Sequence, residues 1–290
     1  GKGVEQDYAK AVEWYEKAAE QGNSIGQNNL GCMYESGKGV EQDYAKAAEW
    51  YAKSAEQGYS RGQCNLGYMY ESGKGVEQDY ARAAEWYAKS AEQGYSRGQN
   101  NLGCMYEHGK GVEQDYAKAV EWYEKAAEQG NSIGQNNLGC MYEFGKGVEQ
   151  DDTRAAEWYA KSAEQGYSRG QCNLGYMYEF GKGVEQDDTK AVEWYAKSAE
   201  QGYSRGQCCL GYMYENGKGV EQDDARAAEW YEKAAKQGYS LGQNNLGCMY
   251  RDGKGVEQDY AKAVEWYEKS AEQGHSRGQC NMGYMYEIGK

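Results

Sequence analysis

Residues 1–36 read GKGVEQDYAKAVEWYEKAAEQGNSIGQNNLGCMYES, and the same stretch recurs from Gly37, Gly73, Gly109, Gly145, Gly181, Gly217 and Gly253. Eight 36-residue units (1–36, 37–72, 73–108, 109–144, 145–180, 181–216, 217–252, 253–288) leave only Gly289 and Lys290, the start of a ninth. Because 21 of the 36 positions are identical in every copy, the chain reads as one repeat array, and the pair of ordinary domains suggested by length alone is excluded.

Each unit holds two helical stretches. Position 7 is always Asp, a good N-cap, and no breaker follows until the glycine at position 22, which predicts helix A over positions 8–21. Its apolar and small residues (Tyr8, Ala11, Val12, Trp14, Tyr15, Ala18, Ala19 in the first copy) share one arc, so one face is core and the other polar. Ser24 and Gln27 have capping-box spacing, which predicts helix B from position 25 to 36, ending at the next unit's glycine. In helix B, positions 26, 27, 30, 31, 33 and 34 are constant or nearly so, whereas 25, 28, 29, 32, 35 and 36 vary. The constant side reads as packed and the variable side as exposed. Glycines at 26 and 31 cost an isolated helix about 1 kcal/mol each, so their place on the packed side implies close backbone approach. Such a pair cannot bury its Trp and Tyr alone; stacked copies can, which makes the fold an all-α solenoid of tandem antiparallel helix pairs.

The formal charge of −14 is spread along the chain. That disfavours nucleic acid and anionic lipid, which need clustered Lys and Arg. No apolar run is long enough to insert in a membrane, and no signal-peptide pattern opens the sequence. The chain starts at Gly1 without Met, so the natural N-terminus is expected to lie upstream.

The combination of Gly1, Gly3, Val4, Asp7, Ala11, Trp14, Tyr15 and Gly22 with Gln27, Leu30, Gly31, Met33 and Tyr34 resembles the Sel-one-like repeat family, a branch of the tetratricopeptide-like solenoids, in all eight units. The resemblance implies a right-handed superhelix with helix A on the concave side, acting as an adaptor for protein complexes. The chain departs from the family in having Gly at position 26, where Ala is usual, and in Asp152, Asp188 and Asp224 at position 8, where the other units carry Tyr. Loss of that tyrosine predicts local weakness in units five to seven.

No catalytic, cofactor-binding or metal-binding residues are assigned. His108 and His275 lie in different units at variable positions. Some relatives in the wider family are described as penicillin-binding or β-lactamase-like; that chemistry needs Ser with Lys three residues on, and the chain has no such motif. The repeated GKG sits in a helix-to-helix loop and reads as a positive-φ turn. A non-enzymatic binding scaffold follows.

Two surfaces are candidates for partners. Glu at position 13 and Lys at 17 form an i,i+4 pair in the favourable order on the polar arc of helix A, with Gln at 21. Repeated, they make ladders of Glu13, Glu49, Glu85, Glu121, Glu157, Glu193, Glu229 and Glu265 beside Lys17, Lys53, Lys89, Lys125, Lys161, Lys197, Lys233 and Lys269. On the presumed concave side these would form a groove for an extended or basic peptide.

The second candidate is a lateral interface on the variable side of helix B. Cys32, Cys104, Cys140 and Cys248 occupy position 32; Cys64, Cys172, Cys208 and Cys280 occupy position 28; Cys209 stands at 29. Every unit with Cys at 32 has Asn at 28, and every unit with Cys at 28 has Tyr at 32: Tyr68, Tyr176, Tyr212 or Tyr284. No thiol has a partner at metal-ligand spacing within its unit. Cysteine-rich relatives staple helix A to helix B, which this chain cannot do because its helix A has no cysteine. Three readings stay open: small side chains in shallow contacts, with Tyr59, Tyr167 and Tyr203 stapled over Cys64, Cys172 and Cys208; bridges between adjacent units such as Cys32–Cys64, Cys140–Cys172 and Cys248–Cys280; or contacts between molecules. The competing function is a self-associating filament, because neither terminal unit carries a polar cap. Compartment is undecided: unpaired thiols favour a reducing one, an extracellular assembly being the alternative.

Overall fold

The computed structural model describes residues 3–290; Gly1 and Lys2, the first two positions of the first unit, lie outside the described residues. Sixteen helices and no strands are present among them. The chain gathers into two compact halves. In Gly1–Gln150 the helices are α1 Tyr8–Glu20, α2 Ser24–Ser36, α3 Tyr44–Glu56, α4 Ser60–Ser72, α5 Tyr80–Glu92, α6 Ser96–His108, α7 Tyr116–Glu128 and α8 Ser132–Phe144. In Asp151–Lys290 they are α9 Asp152–Glu164, α10 Ser168–Phe180, α11 Asp188–Glu200, α12 Ser204–Asn216, α13 Asp224–Lys236, α14 Ser240–Asp252, α15 Tyr260–Glu272 and α16 Ser276–Ile288. Within each half, every helix packs on the one before it, and the even-numbered helices also touch one another. The result is an all-α solenoid of tandem helix pairs.

The first helix of each pair starts as its sequence requires. Asp7 accepts from the Lys10 amide at 3.0 Å, and Asp43 and Asp79 do the same for Lys46 and Arg82 at 3.0 Å. The helix closes at Gln21, followed by Gly22 at φ 83°. The second helix starts one residue earlier than its capping box predicts. Ser24 is its first residue and Asn23 is the cap, accepting from the Gly26 amide at 2.8 Å; where Tyr replaces Asn, as at Tyr59, no side-chain cap forms. Gln27 explains the difference. Its amide already bonds the Asn23 carbonyl, and its side chain turns back to the Ala19 carbonyl at 3.2 Å, satisfying the end of the preceding helix.

Within each half, glycine 31 of one unit and tyrosine 15 of the next make the main joint. A Cβ on Gly31 would stand 2.7 Å from the Tyr51 ring, and one on Gly67 2.8 Å from the Tyr87 ring. Only glycine lets the ring approach the helix this closely. Tyr51, Tyr87 and Tyr123 are fully buried there, and their hydroxyls donate to Glu35, Glu71 and Glu107 at 2.6, 2.7 and 2.7 Å. Gly26 does the same work within a unit, where its Cβ would meet that of Ala18 at 2.8 Å. The glycines on the packed side thus mark close approach, as their recurrence predicts.

Tryptophan stands at the edge of the apolar arc and is only partly buried. Trp86 lies half-buried against the core formed by Tyr51, Leu66 and Met69 of the unit before it. The arc identifies a contacting face, but that contact lies across a unit boundary at the rim.

Asp152 and Asp188 each bury a carboxylate oxygen without a hydrogen-bond partner. At the same position Tyr44 takes a hydrogen bond from Gln42 at 3.1 Å and carries the Lys74 ammonium 5.3 Å from its ring centroid. Removing an unsatisfied buried acceptor recovers about 1–3 kcal/mol. Asp188→Tyr is therefore expected to raise the urea midpoint of the chain; an unchanged or lower midpoint would show that the carboxylate finds water.

Candidate functional site

The outward face of each odd-numbered helix carries the Glu/Lys ladder. All eight ladder glutamates are exposed, but their lysines mostly turn elsewhere. In every unit the Lys ammonium stands over the Trp three residues earlier, from 3.7 Å for Lys233 over Trp230 to 4.4 Å for Lys17 over Trp14. Among the described residues only Lys269 also closes the expected i,i+4 ion pair, with Glu265 at 2.6 Å. The expected helix-supporting pair is thus corrected in the other units. A half-buried indole face offers a cation about 0.5–1 kcal/mol and covers apolar surface with the lysine stem, whereas an exposed ion pair gives little. Apart from Glu265, each ladder step is an exposed carboxylate beside a cation already held by tryptophan.

Gln at position 21 is a strut between units. Gln57 donates to the Gln27 side chain at 2.6 Å and Gln93 to Gln63 at 2.6 Å, while each also reaches back to its own helix at the Lys53 or Lys89 carbonyl. These bonds hold successive ladder steps in register. Neither this strut nor the tyrosine joint was read from the sequence, although both show as constant residues.

The cysteine stripe is not the exposed surface that its variability implies. Cys64, Cys172 and Cys208 are buried, Cys32, Cys104, Cys140, Cys209 and Cys248 are half-buried, and only Cys280 is exposed. Within each half, a following unit covers them. Tyr51 stands 3.3 Å from the Cys32 sulfur, and Asn101 lies 3.7 Å from that of Cys64. Burial pushes the Cys64 thiol up to about 12 and that of Cys104 to about 11, so neither is a thiolate at neutral pH. The tyrosine staple is corrected too: Tyr95, Tyr203 and Tyr239 pack on the cores holding Cys64, Cys172 and Cys208 from one unit later. Of the position-32 tyrosines, Tyr68 accepts from Lys74 at 3.1 Å and Tyr176 rests on Phe180 at 4.7 Å between ring centroids, whereas Tyr212 and Tyr284 are exposed. In the second half a cavity of about 820 Å³ opens beside Arg205, Cys209, Tyr212 and Arg277.

The histidines serve local structure. His275 Nδ1 caps α16 at the Gly278 amide, 3.3 Å away, and His108 Nδ1 lies 2.9 Å from the Cys104 carbonyl. No three His, Cys, Asp or Glu side chains among the described residues gather within reach of one metal ion. No described helix is long and apolar enough to cross a membrane.

The Sel1 repeat family model matches residues 1–23, 24–59, 60–95, 96–131, 132–167, 168–203, 204–239, 240–275 and 276–290, so its matches cover the chain end to end. Its frame begins at Ser24 and takes an even-numbered helix with the odd-numbered one after it; within each half such a pair is joined by the glycine–tyrosine contact. Among solved structures, c5321, a protective antigen of uropathogenic Escherichia coli with an SLR fold, is 45% identical with a TM-score of 0.77 over 99% of this chain. This chain spans 62% of the length of that protein. A Sel1 repeat protein from Oxalobacter formigenes is 35% identical with a TM-score of 0.73, covering 98% of this chain and 83% of its own. No curated protein matches the sequence.

Proposed function

This chain belongs to the Sel1 repeat family, and on that premise we propose that it is a non-enzymatic scaffold binding an extended basic peptide along the glutamate ladder. The observation that carries this reading is one exposed carboxylate per unit beside a lysine already engaged on tryptophan. In the first half Glu49, Glu85 and Glu121 repeat at a fixed sequence interval, so a partner with regularly spaced cations meets the same chemistry at each step. The net charge of −14 favours its approach and adds salt sensitivity.

The test is fluorescence anisotropy with a labelled peptide of alternating lysine and serine. Changing Glu49, Glu85 and Glu121 to Gln is expected to weaken binding about tenfold, because each exposed pair contributes about 0.2–1 kcal/mol. The control changes Glu41, Glu77 and Glu113, exposed loop residues, and removes the same charge with little effect. Equal losses in both variants would reduce the ladder to bulk electrostatics.

A second reading, association of copies, rests on apolar exposure at two places: Trp14 is 67% exposed and Tyr286 79% exposed. Sedimentation of the chain alone, before peptide is added, separates the two readings. Concentration-dependent growth favours association, and a constant monomer mass removes it.

A further inference from the structure

Seven of the eight units carry Asn at position 29, and Asn65, Asn101, Asn137, Asn245 and Asn281 each lie against a thiol of the preceding unit. The Nδ2 of Asn101 stands 3.7 Å from the Cys64 sulfur, and that of Asn245 3.7 Å from the Cys208 sulfur. Both pairs are 37 residues apart. At the same separation in the second half, Cys209 replaces the asparagine and its counterpart is Cys172. Their helices, α10 and α12, touch directly, as a bridge between them requires. We propose that Cys172 and Cys209 form a reversible dithiol site that exchanges with a small anionic disulfide and closes a covalent bridge between α10 and α12.

The two thiols are unequal, which gives the exchange a direction. The Cys172 thiol donates a hydrogen bond to Cys209, holding the Cys209 thiol below its ordinary range with help from the nearby Arg205 guanidinium, while Cys172 is pushed up. Cys209 lines the cavity and Cys172 is fully buried behind it. Arg205 and Arg277 line that cavity together with Glu179 and Glu215, so the two guanidiniums are the cations that a carboxylate-bearing disulfide would meet there. The Cys209 thiolate attacks one sulfur of the incoming disulfide, forming a mixed disulfide and expelling a thiolate that takes a proton from water. Cys172 then gives its proton to solvent, and its sulfur attacks that of Cys209, expelling the second small thiolate, which is protonated in turn. Two protein thiols and one disulfide become one protein disulfide and two small thiols. Cys208 also lines the cavity, but burial pushes its thiol up and its sulfur faces Asn245 in the next unit, so it stays protonated and does not compete.

The test treats the folded chain with oxidised glutathione, blocks remaining thiols and maps tryptic peptides. Residues 170–182 and 206–218 are expected to appear linked, and reduction with dithiothreitol to separate them. The link should form at least about tenfold faster than any modification of buried, protonated Cys64. Cys209→Asn restores the residue of the other units and is expected to keep the helical circular dichroism while abolishing the link. Exposed Cys280 reports that the oxidant is active. Modification of Cys280 alone, a stable glutathione adduct on Cys209 without the link, or a Cys208–Cys209 bond within residues 206–218 would each overturn the proposal.

Discussion

Replacing Tyr87 with alanine is expected to destabilise the α4–α5 joint by about 3–5 kcal/mol, the range for truncating a buried aromatic. The ring is fully buried, lies on Gly67 and donates from its hydroxyl to Glu71 at 2.7 Å. Truncation removes the packing and the donor together. Tyr87→Phe keeps the ring and loses only the hydrogen bond to a half-buried carboxylate, so its cost is smaller, about 1.5–3 kcal/mol for a bond to a charged group. A solenoid opens locally, so the readout is native-state hydrogen exchange of the α4 and α5 amides. Protection there should fall steeply in the alanine variant and modestly in the phenylalanine variant. Unchanged protection in Tyr87→Ala would show that the repeats are held by something other than this joint.

Features set by neighbouring residues are legible in the sequence. Asp7 as a cap and Gly22 as a terminator act over one helical turn, and each helix lies within one residue of its predicted span. Legibility fails where a side chain has a second partner that the spacing does not rank. Ser24 and Gln27 have capping-box spacing, but the Gln27 side chain prefers the Ala19 carbonyl eight residues back. Glu49 and Lys53 have ion-pair spacing, yet Trp50 lies between them and takes the ammonium at 3.9 Å. Counting charges along the helix leaves out the ring.

The cysteine stripe fails for a different reason. Positions 28 and 32 vary, and variation in a repeat reads as exposure. They vary together, however: Asn28 with Cys32, Cys64 with Tyr68. Asn28 and Cys64 are both buried, at 5% and 1% exposure. Paired exchange of a polar and a thiol side chain along one stripe is how a packed seam tolerates change, so the pairing rule was itself a sign of packing. The exposure of the ladder glutamates is legible from their place on the polar arc, whereas the position of the lysine depends on a tryptophan at the edge of the apolar arc.

Gly67→Ala offers the second large effect, and its sign decides whether the joint is sterically saturated. In an unconstrained helix the change favours the folded state by about 1 kcal/mol. At Gly67 the new Cβ falls 2.8 Å from two carbons of the Tyr87 ring and 3.2 Å from the Ala83 carbonyl oxygen. The ring is fully buried and the oxygen belongs to the backbone, so neither yields cheaply. Overpacking of this kind costs about 1–3 kcal/mol, enough to reverse the helical gain. The same unit position supplies the control: a Cβ on Gly283 meets nothing within 4 Å, so Gly283→Ala keeps the intrinsic gain and should raise the urea midpoint while Gly67→Ala lowers it. Combining Gly67→Ala with Tyr87→Ala closes the argument, because the added methyl then enters space the ring has left. The double variant should be more stable than the sum of the two losses predicts, with a coupling of about 0.5–3 kcal/mol as expected for residues in contact. Additive losses, or a stabilising Gly67→Ala, would mean that the joint has slack and that glycine at this position is kept for some purpose other than seating the tyrosine.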